Sequence, residues 1–264
     1  MKKTRLALAI SLMAAGPAFG ATFVNGGFEL GNLNGWTEGG GCWGANVCTS
    51  VYNPVLNTPG DGSLLPTAAV YVGGTPNNTV VGVGTDPITG AATVYNGSYA
   101  VRVNDSINDW SVSTISQSVT NYTDNFIYFA WNAVLESSHG LDDSDYFSLV
   151  LRDDTTGTDV VSRSYSSAGS VGGGTSGVTW TTYGSWFSSG WVIEQIDVAG
   201  LGLVGHDFTL SLLASDCPYG GHAGYVYLDG FGGKPPTPAP EPATLALLAL
   251  GVVGMGAVRR RKAA

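Results

Sequence analysis

Positive charge is what this sequence has least of. Only 11 of its 264 residues are Lys or Arg, against 20 Asp and Glu. Lys2, Lys3 and Arg5 lie at one end, and Arg259, Arg260, Arg261 and Lys262 at the other. Arg102, Arg152, Arg163 and Lys234 alone face all twenty acidic residues between them, a net charge of −16 for that stretch. Such a surface repels phosphate backbones, which argues against a nucleic-acid partner. It favours solubility and suits divalent cations. Catalytic signatures are missing as well: there is no G-x-S-x-G elbow, no H-E-x-x-H and no phosphate loop. The three histidines, His139, His206 and His222, fit no zinc spacing and each adjoins a glycine, as loop residues do. Asp142, Asp143 and Asp145 cluster without the glycine and closing Glu of an EF-hand, so they read as a solvated turn. A carboxylate pair for glycoside hydrolysis leaves no signature in sequence. Nothing favours an enzyme, and the chain is read as non-catalytic.

Long helical periodicity is also absent, and so is any internal repeat, although glycine reaches 39 residues. What is present is strand chemistry joined by tight turns. Residues 1–20 have the order of a secretory leader: basic residues, an apolar run from Leu6 to Ala15, then Ala18-Phe19-Gly20 before Ala21. Cleavage is expected after Gly20. Residues 21–233 then suffice for one all-β domain. In "SYAVRVND" (98–105) Tyr99, Val101 and Val103 share a face. "STISQSVTNY" (113–122) reads as a strand, and "NFIYFAWNAVLE" (125–136) as one buried on both faces. Residues 145–165 form a hairpin turning at Asp153–Gly157. "WVIEQIDVAGL" (191–201), "DFTLSLLASD" (207–216) and "GYVYLDGF" (224–231) complete the set. Residues 37–95 read as an elaborated loop region with short strand candidates such as 68–72, and 169–178 as a flexible glycine-rich loop.

The ends of this body resemble a known family. "NGGFELGNLNGW" (25–36), "GSYAVRV" (97–103) and "GYVYLDGF" (224–231) are similar to the opening, next and closing blocks of galactose-binding-like jelly rolls, which include carbohydrate-binding modules. The resemblance implies a β-sandwich jelly roll whose termini meet, often around a structural Ca²⁺. It implies Glu29 and Asp229 as carboxylate ligands, with backbone carbonyls near Asn96 and Gly97 completing an oxygen shell. The plainer alternative is an exposed Glu29 and a turn at Asp229-Gly230. In such a fold the approach to the last strand lies near the end of the first. In an oxidising compartment one disulfide is therefore expected between Cys217 and either Cys42 or Cys48, leaving one thiol over. A short Cys42–Cys48 loop would need no fold at all.

Exposed aromatic rings are the remaining chemical handle, because sugars stack their apolar faces on Trp and Tyr. Trp43, Tyr52, Trp110, Trp180 and Trp186 fall in or beside loop-like segments and are the candidate glycan contacts. Trp36 and Trp131 read as core, which is where large aromatics of a sandwich usually belong.

The C-terminus is the most specific segment. Pro235, Pro236, Pro238, Pro240 and Pro242 stiffen a spacer over 234–242. Residues 243–258 are an apolar run of sixteen, short of the roughly twenty that span a bilayer, and the basic end 259–264 follows. Local thinning and snorkelling arginines make up the difference, and those arginines hold that end in the cytoplasm. Pro240-Glu241-Pro242, a short transmembrane helix and Arg259–Arg261 together resemble the PEP-CTERM sorting signal. That resemblance implies recognition by an exosortase-type enzyme, a transient stay in the inner membrane of a Gram-negative bacterium, and release to the cell surface or an exopolysaccharide matrix. The first expectation is thus a surface-sorted biofilm-matrix protein that binds extracellular polysaccharide. A structural or adhesive protein with a protein partner is the second, and a glycan-active enzyme the third.

Overall fold

A computed structural model describes residues 22–42, 76–137, 140, 144–168, 178–217 and 220–235. Among the described residues twelve strands run in chain order: β1 (Thr37–Cys42), β2 (Thr79–Gly82), β3 (Tyr99–Val103), β4 (Ser111–Val119), β5 (Phe126–Glu136) and β6 (Tyr146–Asp153). They continue as β7 (Thr158–Ser166), β8 (Thr181–Tyr183), β9 (Trp186–Ser188), β10 (Val192–Asp197), β11 (Phe208–Ser215) and β12 (Gly224–Gly232). A five-stranded sheet has the order β1-β4-β11-β6-β7. A seven-stranded sheet has β2-β3-β12-β5-β9-β8, with β10 also paired to β5. From β3 onward the chain passes back and forth between the sheets, the jelly-roll path, and every pairing is antiparallel. Among the described residues no helix is long and apolar enough to cross a membrane. The leader and the C-terminal segment lie outside the described residues.

The core follows from period-two alternation in the strands. On β5, Ile127, Phe129, Trp131, Ala133 and Leu135 point between the sheets and are fully buried. Ala130, Asn132 and Val134 on its other side are buried too, as the near-continuous apolar sequence implied. The hairpin turns where read: Asp153 Oδ1 accepts from the backbone of Thr155 and Thr156, and Gly157 takes φ 74°. His206 Nδ1 sits 2.9 Å from Asp153 Oδ2 and ties this turn to the approach of β11.

Three readings need correction. Residues 37–95 are not loop throughout, since β1 and β2 within the segment pair as edge strands. Glycine-rich TEGGGC pairs nonetheless, because an edge strand needs backbone partners on one side only. The candidate strand 68–72 lies outside the described residues, as does most of the loop 169–178. Second, the strand read at 113–122 begins earlier and stops at Val119, where Asn121 turns at φ 51°. Third, Asp145 is fully buried rather than solvated, for its oxygens accept from Glu136 N and from the Ser167 hydroxyl.

One polar contact closes the sandwich edge. Arg163 on β7 and Glu194 on β10 face each other across the sheets through two 2.7 Å bonds, and Trp131 Nε1 donates to the same carboxylate at 3.2 Å. The Glu194 side chain is 10% exposed and that of Arg163 34%. Arg163→Met leaves a desolvated carboxylate without its partner. The expected loss is about 2 kcal/mol, below the 3–5 kcal/mol of a wholly buried pair because water still reaches the guanidinium. Urea unfolding measures it, and adding Glu194→Gln should recover part of the loss. A change below about 0.5 kcal/mol would show a surface-type pair instead.

Candidate functional site

The two ends of the body meet. Residues 25–36 run as consecutive turns, with Asn25 and Phe28 at φ 53° and 59°. A bulky residue pays for that conformation, and burial of Phe28 against Trp36, ring centroids 5.1 Å apart, holds it there. Phe231 near the end of β12 donates its N–H to Gly26 O at 3.0 Å. Its ring lies 3.9 Å from that of Phe23 and 5.7 Å from that of Trp36.

This seam carries the carboxylates. Asp229 Oδ2 accepts from the backbone N–H of Tyr95 at 2.9 Å and Asn96 at 2.7 Å. Glu29 Oε1 accepts from Ser98 N at 2.9 Å and Tyr99 N at 3.2 Å. Gly97, at φ 75°, lies so close that a Cβ there would run into the Glu29 carboxylate. Glu29, Asn96, Gly97 and Asp229 are therefore neighbours. Asp229 is 0% exposed, and its Oδ1 has no hydrogen-bond partner. Burial pushes its carboxyl up to about 7; the N–H groups of Asn96, Tyr95 and Gly230 pull it down, and the charge of Glu29 pushes it up again. A recess of about 360 Å³ opens beside this group, lined by Thr22, Gly27, Glu29, Asn96, Asp124 and Lys234 among others. Sequence reading missed Asp124 and Lys234, which carry no motif.

An orphaned carboxylate oxygen close to a second carboxylate fits a cation. Among the described residues no three His, Cys, Asp or Glu side chains group as a metal cage. Backbone oxygens would have to supply the rest of the shell, a donor set that suits Ca²⁺ rather than zinc.

The aromatic candidates do not share a face. Trp110, at φ 63°, packs partly buried on Val112, Tyr146 and Leu213, on the outer side of the five-stranded sheet. Trp186 lies on the outer side of the opposite sheet, 6.0 Å from the Tyr225 ring. Trp180 packs against the core 5.6 Å from the Tyr165 ring, with its indole nitrogen buried. A single stacking platform from these three is thereby excluded. Trp43 and Tyr52 lie outside the described residues.

The outer face of the seven-stranded sheet is closed by the chain's own residues 83–95. Tyr225 and Tyr227 donate their hydroxyls to Asp86 Oδ2 at 2.7 and 2.8 Å, and Trp191 Nε1 donates to Ala92 O. The outer face of the five-stranded sheet differs in chemistry. Strand register sets Thr114, Leu213, Ser148 and Ser164 in one row and Ser116, Ser211, Val150 and Ser162 in the next. Ser118, Ser162 and Ser164 are exposed, whereas Thr114, Ser116, Ser148 and Ser211 are buried. The Thr114 hydroxyl has no partner. At the Trp110 end, Asn104 Nδ2 donates to Asp216 Oδ1 and to Gly224 O, both at 2.9 Å. Burial pushes the carboxyls of Asp145 and Asp216 well above the ordinary value. Cys217 is buried just beyond β11. Cys42 ends β1, two strands away across β4, while Cys48 lies outside the described residues.

The family model of the PEP-CTERM protein-sorting motif matches residues 238–262. That motif marks a protein exported and sorted to the cell surface. No curated protein sequence matches the chain. Among solved structures, a family 61 carbohydrate-binding module in complex with β-1,4-galactotriose aligns at 12% identity and TM-score 0.37, covering 80% of this chain and 96% of that one. A family 27 module from Caldicellulosiruptor saccharolyticus in complex with mannohexaose aligns at 9% and 0.32, covering 59% and 81%. The enzymatically active domain of tailspike protein 4 from bacteriophage CBA120 aligns at 9% and 0.34, covering 80% of this chain and 21% of that one.

Proposed function

We propose that this is a non-catalytic polysaccharide-binding protein of an exopolysaccharide or biofilm matrix, delivered to the cell surface by its C-terminal signal. The observation that carries the reading is the outer face of the five-stranded sheet. Of its registered hydroxyls those of Ser162 and Ser164 are exposed and present neutral donors and acceptors, while Thr114, Ser116, Ser148 and Ser211 are buried. Trp110, partly buried over Tyr146, stands at one end of those rows, where an apolar sugar face can stack on it. The exosortase-type processing enzyme and a passing inner-membrane intermediate belong to the same reading. The test is co-sedimentation of the protein with the exopolysaccharide of its own host. Binding without release of reducing ends is expected, and Trp110→Ala should weaken it about tenfold, near 1.4 kcal/mol. Release of sugar, or no binding, overturns the reading.

The same reading gives the terminal seam a structural Ca²⁺ held by Glu29 and Asp229, with backbone oxygens near Asn96 and Gly97. Bound there, the ion would neutralise two carboxylates that otherwise repel one another. It would also fasten the N-terminal turns to β12. A ligand that binds only the folded state stabilises by mass action, about 2.7 kcal/mol at a hundredfold excess over Kd. For a body of this size that corresponds to a rise in Tm of roughly 5–11 °C. Calorimetry of chelated and Ca²⁺-loaded protein measures it. Asp229→Asn should abolish the rise, and an equal Tm in both samples would remove the site. The reading also keeps a disulfide between Cys217 and Cys42 or Cys48.

A further inference from the structure

The polysaccharide reading leaves the chemical class of the polymer open, and the placement of cationic side chains narrows it. Between the leader and the C-terminal basic end the sequence holds Arg102, Arg152, Arg163 and Lys234 and no other Lys or Arg. All three arginines are already engaged. Arg102 Nε donates to Asn104 O at 3.1 Å, and its guanidinium stands 5.9 Å from the Tyr225 ring centre. Arg152 Nη1 is 3.1 Å from Asp159 Oδ1, and its Nε is 3.9 Å from Asp154 Oδ1. Arg163 makes its two bonds to Glu194 between the sheets. Lys234 lines the acidic recess with Glu29 and Asp124, where the C-terminal spacer leaves the body. The segments outside the described residues change nothing here, because 43–75, 138–143, 169–177 and 218–219 contain no Lys or Arg.

Recognition of a carboxylated, sulfated or phosphorylated sugar needs a cation at the contact, most often a bidentate arginine. Freeing Arg152 or Arg163 would strip a partner acid in exchange for a new one of the same kind, and freeing Arg102 would break its bond to Asn104 O and its contact with the Tyr225 ring. An approaching polyanion would also meet the net −16 of the body, and that repulsion grows as salt is lowered and the Debye length lengthens. The candidate face offers the exposed hydroxyls of Ser162 and Ser164 instead, which bond equally well to uncharged sugar hydroxyls.

We infer that the ligand is an uncharged polysaccharide, and that acidic exopolysaccharides are rejected by charge. The inference rests on the polysaccharide reading and is tested so that the two fail separately. The intact exported protein is assayed by affinity electrophoresis and co-sedimentation at about pH 8, where histidine as a class carries little charge. The probes are mannan, galactan, xylan and mixed-linkage β-glucan as neutral polymers, and alginate and polygalacturonate as acidic ones. Each is run with and without Ca²⁺, and circular dichroism checks that the fold persists in chelator. At least one neutral polymer should bind. Its Kd should change by less than about twofold from about 20 mM to about 500 mM NaCl, since no ion pair contributes. The acidic polymers should bind at least about a hundredfold more weakly at low salt. Alginate or polygalacturonate binding as tightly as any neutral polymer, either in chelator or only with Ca²⁺ as a bridge, overturns the inference and leaves polysaccharide binding standing. Binding to none of the probes or to the host polymer overturns both.

Discussion

Replacing Gly26 with alanine is expected to lower Tm by roughly 6–12 °C, a cost of about 3 kcal/mol at the upper end for overpacking. A Cβ at Gly26 would lie within bonding range of the Phe231 carbonyl oxygen and press on its carbonyl carbon at 2.8 Å. That neighbour is backbone of the closing strand and cannot swing away as a side chain would. To make room, the first turn must separate from β12. The Phe231 N–H bond to Gly26 O then breaks, and the contacts of Phe23 and Trp36 with the Phe231 ring loosen. Glu29 follows in the same turn series, so Gly26→Ala should also blunt the response to Ca²⁺. Gly232→Ala is the control, because a Cβ there meets nothing within 4 Å. Thermal unfolding of both variants decides it. A fall of less than about 2 °C in the Gly26 variant would mean that the terminal seam contributes little.

That seam shows what can be read from the sequence and what cannot. Strands were legible where alternation is local, as in Val101 and Val103, or where a run is apolar throughout, as in β5. The nearness of Glu29 to Ser98 and of Asp229 to Asn96 spans 69 and 133 residues. No spacing rule reaches that far, and only the resemblance of the end blocks joined them. The ionic contact of Arg163 with Glu194 stayed hidden for a different reason. Each residue sits one position from an outward-facing neighbour, and a one-residue change of register would send it to solvent. The aromatic candidates show the same uncertainty: sequence marks Trp110, Trp180 and Trp186 as near loops but not which side of which sheet they join. The hydroxyl rows are assembled from β4, β11, β6 and β7. The shared face exists only after non-local pairing, so no single strand announces it.

Replacing Pro240, Glu241 and Pro242 with alanine is expected to convert a surface-released protein into a larger, membrane-retained one, with little of the normal form left. Strand β12 ends at Gly232, and the described body closes there against its own N-terminal turns. The sorting match begins at residue 238, outside that closed unit. Folding of the sandwich therefore does not need the motif, and the variant should have the Tm of the normal body. On the processing reading residues 243–258 span the membrane only briefly, and an apolar run of sixteen, shorter than the roughly twenty of a full span, suits a segment held until it is cut. On the same reading, replacing Arg259, Arg260 and Arg261 should act at an earlier step, because the charges that would fix the cytoplasmic side are lost and insertion itself is disturbed. Fractionation with intact-mass analysis in the native host separates the two defects, one giving an uncut protein in the membrane and the other a mislocalised one. Finding the normal surface form with Ala243–Ala264 still attached would make the segment a permanent anchor and end the processing account.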